Sequence, residues 1–115
     1  MKLKLILPNL NKNQRDSKKV LKEIIELGIK SLITSVNTKY IGKEWLGKVI
    51  DNKFLKFLES RKNIDFCGEK GEYHTCVIDA PFFSSEIKVD KIGYKKESND
   101  DVYSLKMGKF YLSKK

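Results

Sequence analysis

The chain has 115 residues, 40% of them hydrophobic and 34% charged, with 24 basic against 15 acidic side chains and a formal charge of +9. That length suits one domain with one core, and the aliphatic content excludes a disordered tail. The charge would attract polyanions or acidic protein surfaces, but only Arg15 and Arg61 are arginines, so lysine supplies it and the simplest reading is a solvated lysine surface.

Lys2 to Leu7 alternates Lys and Leu before turning continuously apolar, the pattern of a buried strand that Pro8 ends. The same proline cuts the apolar run short of a secretory leader, no stretch approaches the ~20 apolar residues of a membrane span, and two cysteines are too few for a disulfide scaffold. A cytoplasmic location is expected. Asp16 or Ser17 can cap the helix that follows, in which Val20, Leu21, Ile24, Ile25 and Leu27 form one apolar face and Gly28 takes a left-handed C-cap. Ser31 to Val36 reads as the next strand. Strand, helix and strand predict a small β-α-β unit with parallel strands, and therefore an α/β class.

Trp45, Leu46, Val49 and Ile50 give a short helical stripe interrupted by Gly47. Asp51 is placed to cap a longer helix from Asn52 to about Ser60 carrying Phe54, Leu55, Phe57 and Leu58. A glycine-punctuated loop then leads into a strand from Tyr73 to Ala80, ended by Pro81, with Phe82 and Phe83 expected as core plugs. Ile87 to Lys95 and Val102 to Leu112 carry β-type patterning around Ser98-Asn99-Asp100-Asp101, which predicts a C-terminal antiparallel hairpin. One domain over 1–115 is expected, with residues 84–115 as a hairpin appendage.

The chemistry is concentrated between Asp65 and Asp79, which holds two cysteines, the lone histidine and two closely spaced glycines. Gly68 and Gly71 permit positive φ or close approach to a ligand. In an extended chain Glu72, His74 and Cys76 would project to one face. Cys67, His74 and Cys76 with a carboxylate have the donor types for zinc, although their spacing matches no standard knuckle. Glu69 and Glu72 could form an acid pair of the kind that cleaves glycosides. The plainest alternative is a turn with solvated acids in which His74 and Thr75 satisfy nearby backbone groups.

The string Gly68-Glu69-Lys70-Gly71-Glu72-Tyr73-His74-Thr75, preceded by Asp65-Phe66-Cys67 and followed by Val77, Asp79, Pro81 and Phe83, resembles the G-E-x-G-E-[FY]-H-T signature of the diphthine-ammonia ligase family. Trp45-Leu46-Gly47, followed by Asp51, looks like that family's W-L-G, and Leu7-Pro8 looks like the segment that opens its C-terminal half. The match covers roughly Lys4 to Phe83. It implies the substrate-side half of an N-type ATP pyrophosphatase of the PP-loop superfamily, which adenylates the carboxylate of diphthine on elongation factor 2 and lets ammonia displace AMP.

The resemblance further implies that Glu69 and Glu72 hold the cationic group of diphthine or an ammonium ion, and that His74 orients the acceptor or carries a proton. Gly68, Gly71, Thr75 and Asp79 would line the substrate, with His74 and Glu72 catalytic. The family's S-G-G-x-D-S loop for ATP has no counterpart here, since none of the seven glycines adjoins another. The resemblance therefore implies ATP for the complete enzyme, no cofactor for this chain alone, and an ATP-binding half on a separate chain. A homo-oligomer or a basic module contacting RNA or protein without catalysis are the alternatives. Phe66 stands where the family usually has proline, Lys70 where it has asparagine, and Pro8-Asn9-Leu10 where it has P-L-W. Lys70 places a cation between the two glutamates.

Overall fold

The computed structural model describes residues 14–62, 64–68, 71–97 and 101–115. Helix α1 (Gln14–Glu26) leads to strand β1 (Lys30–Asn37), a single 3-10 turn (Lys43–Trp45), helix α2 (Asn52–Glu59), strand β2 (Tyr73–Asp79) and the long strands β3 (Ser85–Lys96) and β4 (Val102–Lys114). The four strands form one sheet in the order β2-β1-β4-β3, every pairing antiparallel. The architecture is α/β as expected, with two helices and an antiparallel sheet. The parallel strand expected at Lys2 to Leu7 lies outside the described residues, as does most of the turn from Ser98 to Asp101.

Local signals place most elements. Past α1 the amide of Ile29 donates to the carbonyl of Ile24 at 3.3 Å and that of Gly28 to Ile25 at 3.1 Å, a Schellman closure that puts Gly28 at φ 79°. Asp51 caps α2, its Oδ1 accepting from the amide of Phe54 at 3.0 Å. Two expectations about α1 fail. Asp16 and Ser17 are not caps, because the helix already runs from Gln14. Leu27 is 53% exposed, because it follows the last helical residue and the Gly28 turn carries the chain away.

The larger core cluster joins Leu21 of α1, Ile33 and Val36 of β1, Phe54, Leu55 and Leu58 of α2, and Ile64, Phe66 and Tyr73. Trp45 and Phe54 meet edge to face at 5.1 Å, and Phe54 meets Tyr73 at 5.2 Å, so one chain of aromatic rings runs from the 3-10 turn to the start of β2. A smaller cluster of Ile24, Ile29, Val77 and Ala80 receives Phe83 at its margin. Phe82 is no core plug. It is 73% exposed, because adjacent residues of the turn after Pro81 project oppositely and only Phe83 points inward.

Strand β1 has a divided edge. Ser35, Val36 and Asn37 pair with Ser104, Tyr103 and Val102 of β4, whereas the earlier part of β1 bonds to residues 47–50: the amide of Ile33 donates to Lys48, and those of Gly47 and Ile50 donate to Ile33 and Ser31, all at 2.9 Å. This insert pushes the rest of β4 away from β1. The hairpin therefore passes outside this insert, held beside it by Lys91 Nζ donating to the carbonyl of Gly47 at 2.8 Å and by the ammonium of Lys43 lying over the rings of Tyr94 and Tyr103, and tied at its open end by Lys115 to Asp79 and Ala80.

Phe54→Ala removes the central ring of the aromatic chain and is expected to cost about 3–5 kcal/mol, whereas Asp51→Ala, which removes one cap, costs about 1 kcal/mol. Urea unfolding followed by circular dichroism distinguishes the two.

Candidate functional site

The stretch before β2 is folded by backbone bonds into two successive turns. The amide of Gly68 donates to the carbonyl of Asp65 and that of Gly71 to the carbonyl of Gly68, each at 3.0 Å, and Asp65 Oδ1 accepts from the amide of Cys67 at 2.8 Å. Both glycines are left-handed, at φ 69° and 85°. Their reasons differ. A Cβ on Gly68 would lie 2.7 Å from the carbonyl oxygen of Tyr73 and 3.1 Å from its ring, whereas one on Gly71 would meet nothing within 4 Å.

Three buried side chains hold the first turn from beneath. The carboxylate of Glu72 accepts from the amide of Asp65 at 2.7 Å, the hydroxyl of Tyr73 donates to the carbonyl of Phe66 at 2.6 Å, and Ser17 Oγ accepts from the amide of Phe66 at 3.2 Å. Cys67 Sγ donates to the carbonyl of Ser17 at 3.5 Å. Thus Ser17, expected as a helix cap, instead reaches from α1 to the turn. Periodicity could not show this, because the hydrogen-bond partners are 49 residues apart.

This geometry revises the expected polar face. Glu72 is fully buried and precedes β2, while His74 and Cys76 on the strand are exposed and Thr75 is half-buried. Glu72 therefore does not share a solvent face with His74, and its carboxylate serves the backbone of Asp65. The exposed residues beside the turn are Gly71 and His74, with Ser35 of β1 opposite His74 in the register and Thr34 Oγ1 donating to the carbonyl of His74 at 3.3 Å. Thr75, expected to line the substrate, lies opposite buried Ile33 on the other face of the strand with Tyr73 and Val77. Glu69 and Lys70 lie outside the described residues.

Asp79 is not brought to this rim. It closes the far end of β2, about 17 Å along the strand from His74 at the usual rise per residue, where its Oδ1 lies 2.6 Å from Lys115 Nζ. The ammonium also donates to the carbonyl of Ala80 at 2.6 Å. Lys115, opposed by burial and aided by the Ala80 backbone and Lys30, holds the Asp79 carboxyl below its ordinary value of 3.8. Among the described residues no three histidine, cysteine or acidic side chains gather as a metal-binding group. The zinc set is dispersed because Cys67 turns toward α1 while His74 and Cys76 face solvent. No described helix is long and apolar enough to cross a membrane.

Comparison with known proteins matches this arrangement to one family. Residues 16–110 match the diphthamide synthase C-terminal domain, which takes in both helices' cores, the double turn, β2 and most of the hairpin. The chain belongs to that family. Among its relatives, the diphthine–ammonia ligase of Mus musculus is 31% identical over 108 residues, covering 89% of this chain and 40% of the mouse protein. That of Homo sapiens is 34% identical over 80 residues, covering 67% of this chain and 30% of the human protein. That of Schizosaccharomyces pombe is 29% identical over 96 residues, covering 82% and 16%. The chain thus spans well under half the length of these relatives, and in this family domain the double turn and its buried supports form the most elaborately bonded feature outside the sheet.

Gly68→Ala is expected to destabilise the domain by more than about 2 kcal/mol, combining left-handed strain with the collision at Tyr73, and Gly71→Ala by about 1–2 kcal/mol from strain alone. Tyr73→Phe leaves the carbonyl of Phe66 without that donor and costs about 1–3 kcal/mol. Chemical denaturation measures all three.

The Asp79 contribution carries a definite pH sign. A carboxyl held low by folding stabilises fully above its unfolded pKa and loses that contribution as acid takes pH through the folded value. Thermal melts of the native chain and Asp79→Asn are expected to differ most near pH 7 and to converge as pH falls toward about 3.

Proposed function

We propose that this domain is the substrate-side part of a diphthine–ammonia ligase-like ATP pyrophosphatase, and that the rim of Gly71 and His74 beside the double turn receives the diphthine-bearing segment of elongation factor 2. The observation that carries the reading is the contrast at the start of β2. Glu72 and Tyr73 are spent on fixing the turn, while the next residue, the chain's only histidine, stands exposed. Such rigid support beneath a reactive side chain is what positioning of an acceptor requires.

In this reading ATP, bound by the remainder of the enzyme on the same or a separate chain, converts the diphthine carboxylate to an acyl adenylate with loss of pyrophosphate. Ammonia then attacks the acyl carbon, AMP leaves and the amide remains. His74 takes the proton that the attacking ammonia loses on becoming the amide, imidazole being the usual side-chain proton carrier. Gly71, where a Cβ would meet nothing within 4 Å, leaves the backbone open on the substrate side. Glu72 is a positioning residue, since a buried carboxylate engaged with Asp65 cannot also face a solvent-borne cation. Glu69, by its place between the two glycines, is assigned the trimethylammonium group.

The test is titration of the chain with elongation factor 2 carrying either diphthine or the unmodified histidine, followed by calorimetry. Preference for the diphthine form, reduced about tenfold by His74→Ala with unchanged circular dichroism, is the expected outcome. Equal affinity for both forms, or no effect of His74→Ala, overturns the assignment.

A further inference from the structure

The hairpin is two-faced. Ile87 pairs across the strands with Leu112 and Val89 with Phe110, and because these pairs are two positions apart they line one face with four apolar side chains. Phe110 is 68% and Leu112 72% exposed, with Ile87 and Val89 half-buried between them. The opposite face carries the pairs Glu86 with Ser113 and Lys88 with Tyr111, and Lys88 Nζ is bound to Glu86 Oε1 at 2.7 Å. A strand pair with four apolar side chains gathered on one face and polar pairs on the other is patterned to cover something, yet Phe110 and Leu112 stand exposed.

We infer that the Ile87–Val89–Phe110–Leu112 face is a docking surface for another folded part of a diphthine–ammonia ligase, one presenting an apolar centre rimmed by carboxylates. Three observations select this occupant. The relatives carry far more polypeptide than this domain, which spans 40% of the mouse protein and 30% of the human one, so the family supplies a further protein surface. A second copy is disfavoured, since each chain carries a formal charge of +9 and like charges repel, whereas Lys114, two positions beyond Leu112 and so on the same face, favours an acidic rim. A nucleic acid fits less well: three of the four side chains are aliphatic and offer bases no stacking plane, and neither arginine lies on the hairpin. Four side chains make the centre of an interface rather than its whole area, with the Ser85–Lys114 pair beside them as part of the rim that excludes water.

This inference rests on the proposed function only in requiring that the ligase have a second part. The probe is the portion of the human relative outside the stretch this chain matches, expressed as a separate protein and titrated against the full chain near physiological salt. Binding is expected. The double variant Phe110→Ser, Leu112→Ser should weaken it at least about tenfold, and Tyr111→Ser, on the opposite face and also exposed, should leave it unchanged. Absence of binding, equal binding by the double variant, or an equal loss with Tyr111→Ser overturns the inference. So does self-association of the native chain that the double variant abolishes, or salt-sensitive capture of a single-stranded RNA that the double variant loses. Preference for diphthine-bearing elongation factor 2 is measured in parallel: if the double variant keeps it while losing the probe, both readings stand. Loss of that preference in His74→Ala with probe binding intact separates the rim from the hairpin, and a native chain that shows no preference but binds the probe refutes the proposed function alone.

Discussion

The arrangement at the start of β2 depends on a carboxylate withdrawn from water. Burying Glu72 completely is costly unless its oxygens are bonded, and its side chain meets the amide of Asp65 at 2.7 Å while its own carbonyl accepts from Asn37 at 2.9 Å. One residue thereby ties the turn to the end of β1. With the hydroxyl of Tyr73 on the carbonyl of Phe66 and Ser17 on its amide, the main chain at Asp65 and Phe66 is fixed from three sides. The exposed His74 inherits that rigidity through the peptide bond next to Tyr73.

These supports are dispersed along the chain, and this decides what the residue order can reveal. The span of α2, the Asp51 cap, the left-handed Gly28, Gly68 and Gly71, and the terminal hairpin are legible because each depends on neighbours a few residues away. The burial of Glu72 is not, since strand alternation places it with His74. Alternation begins only at Tyr73, and the bond to Asp65 overrides it at the entrance. Ser17 reads as a helix cap for the same reason, its partner Phe66 being distant in sequence. Leu27 and Phe82 show the converse: an apolar residue at an element's boundary reads as core, although the chain turns before it can reach one.

The family signature joins these two kinds of information. Gly68, Gly71, Glu72, Tyr73 and His74 form a recognisable string, but their neighbourhood divides them into turn formers, buried supports and one exposed group. A shared motif therefore does not assign a shared role. Asp79 belongs to the same pattern, yet it acts at the other end of β2 in an ion pair with Lys115.

The insert at residues 47–50 has a mechanical consequence. Because it occupies the edge of β1 that β4 would otherwise fill, the hairpin is held at separate points: the short ladder at Val36 and Tyr103, Lys91 on Gly47, and Lys115 on Asp79 and Ala80. Beneath the first of these, Trp45 touches Phe54 and Phe54 touches Tyr73, and Tyr73 grips the turn. Load placed on the hairpin is therefore shared between the two ends of β2, through the aromatic rings at its start and through an ion pair at its finish.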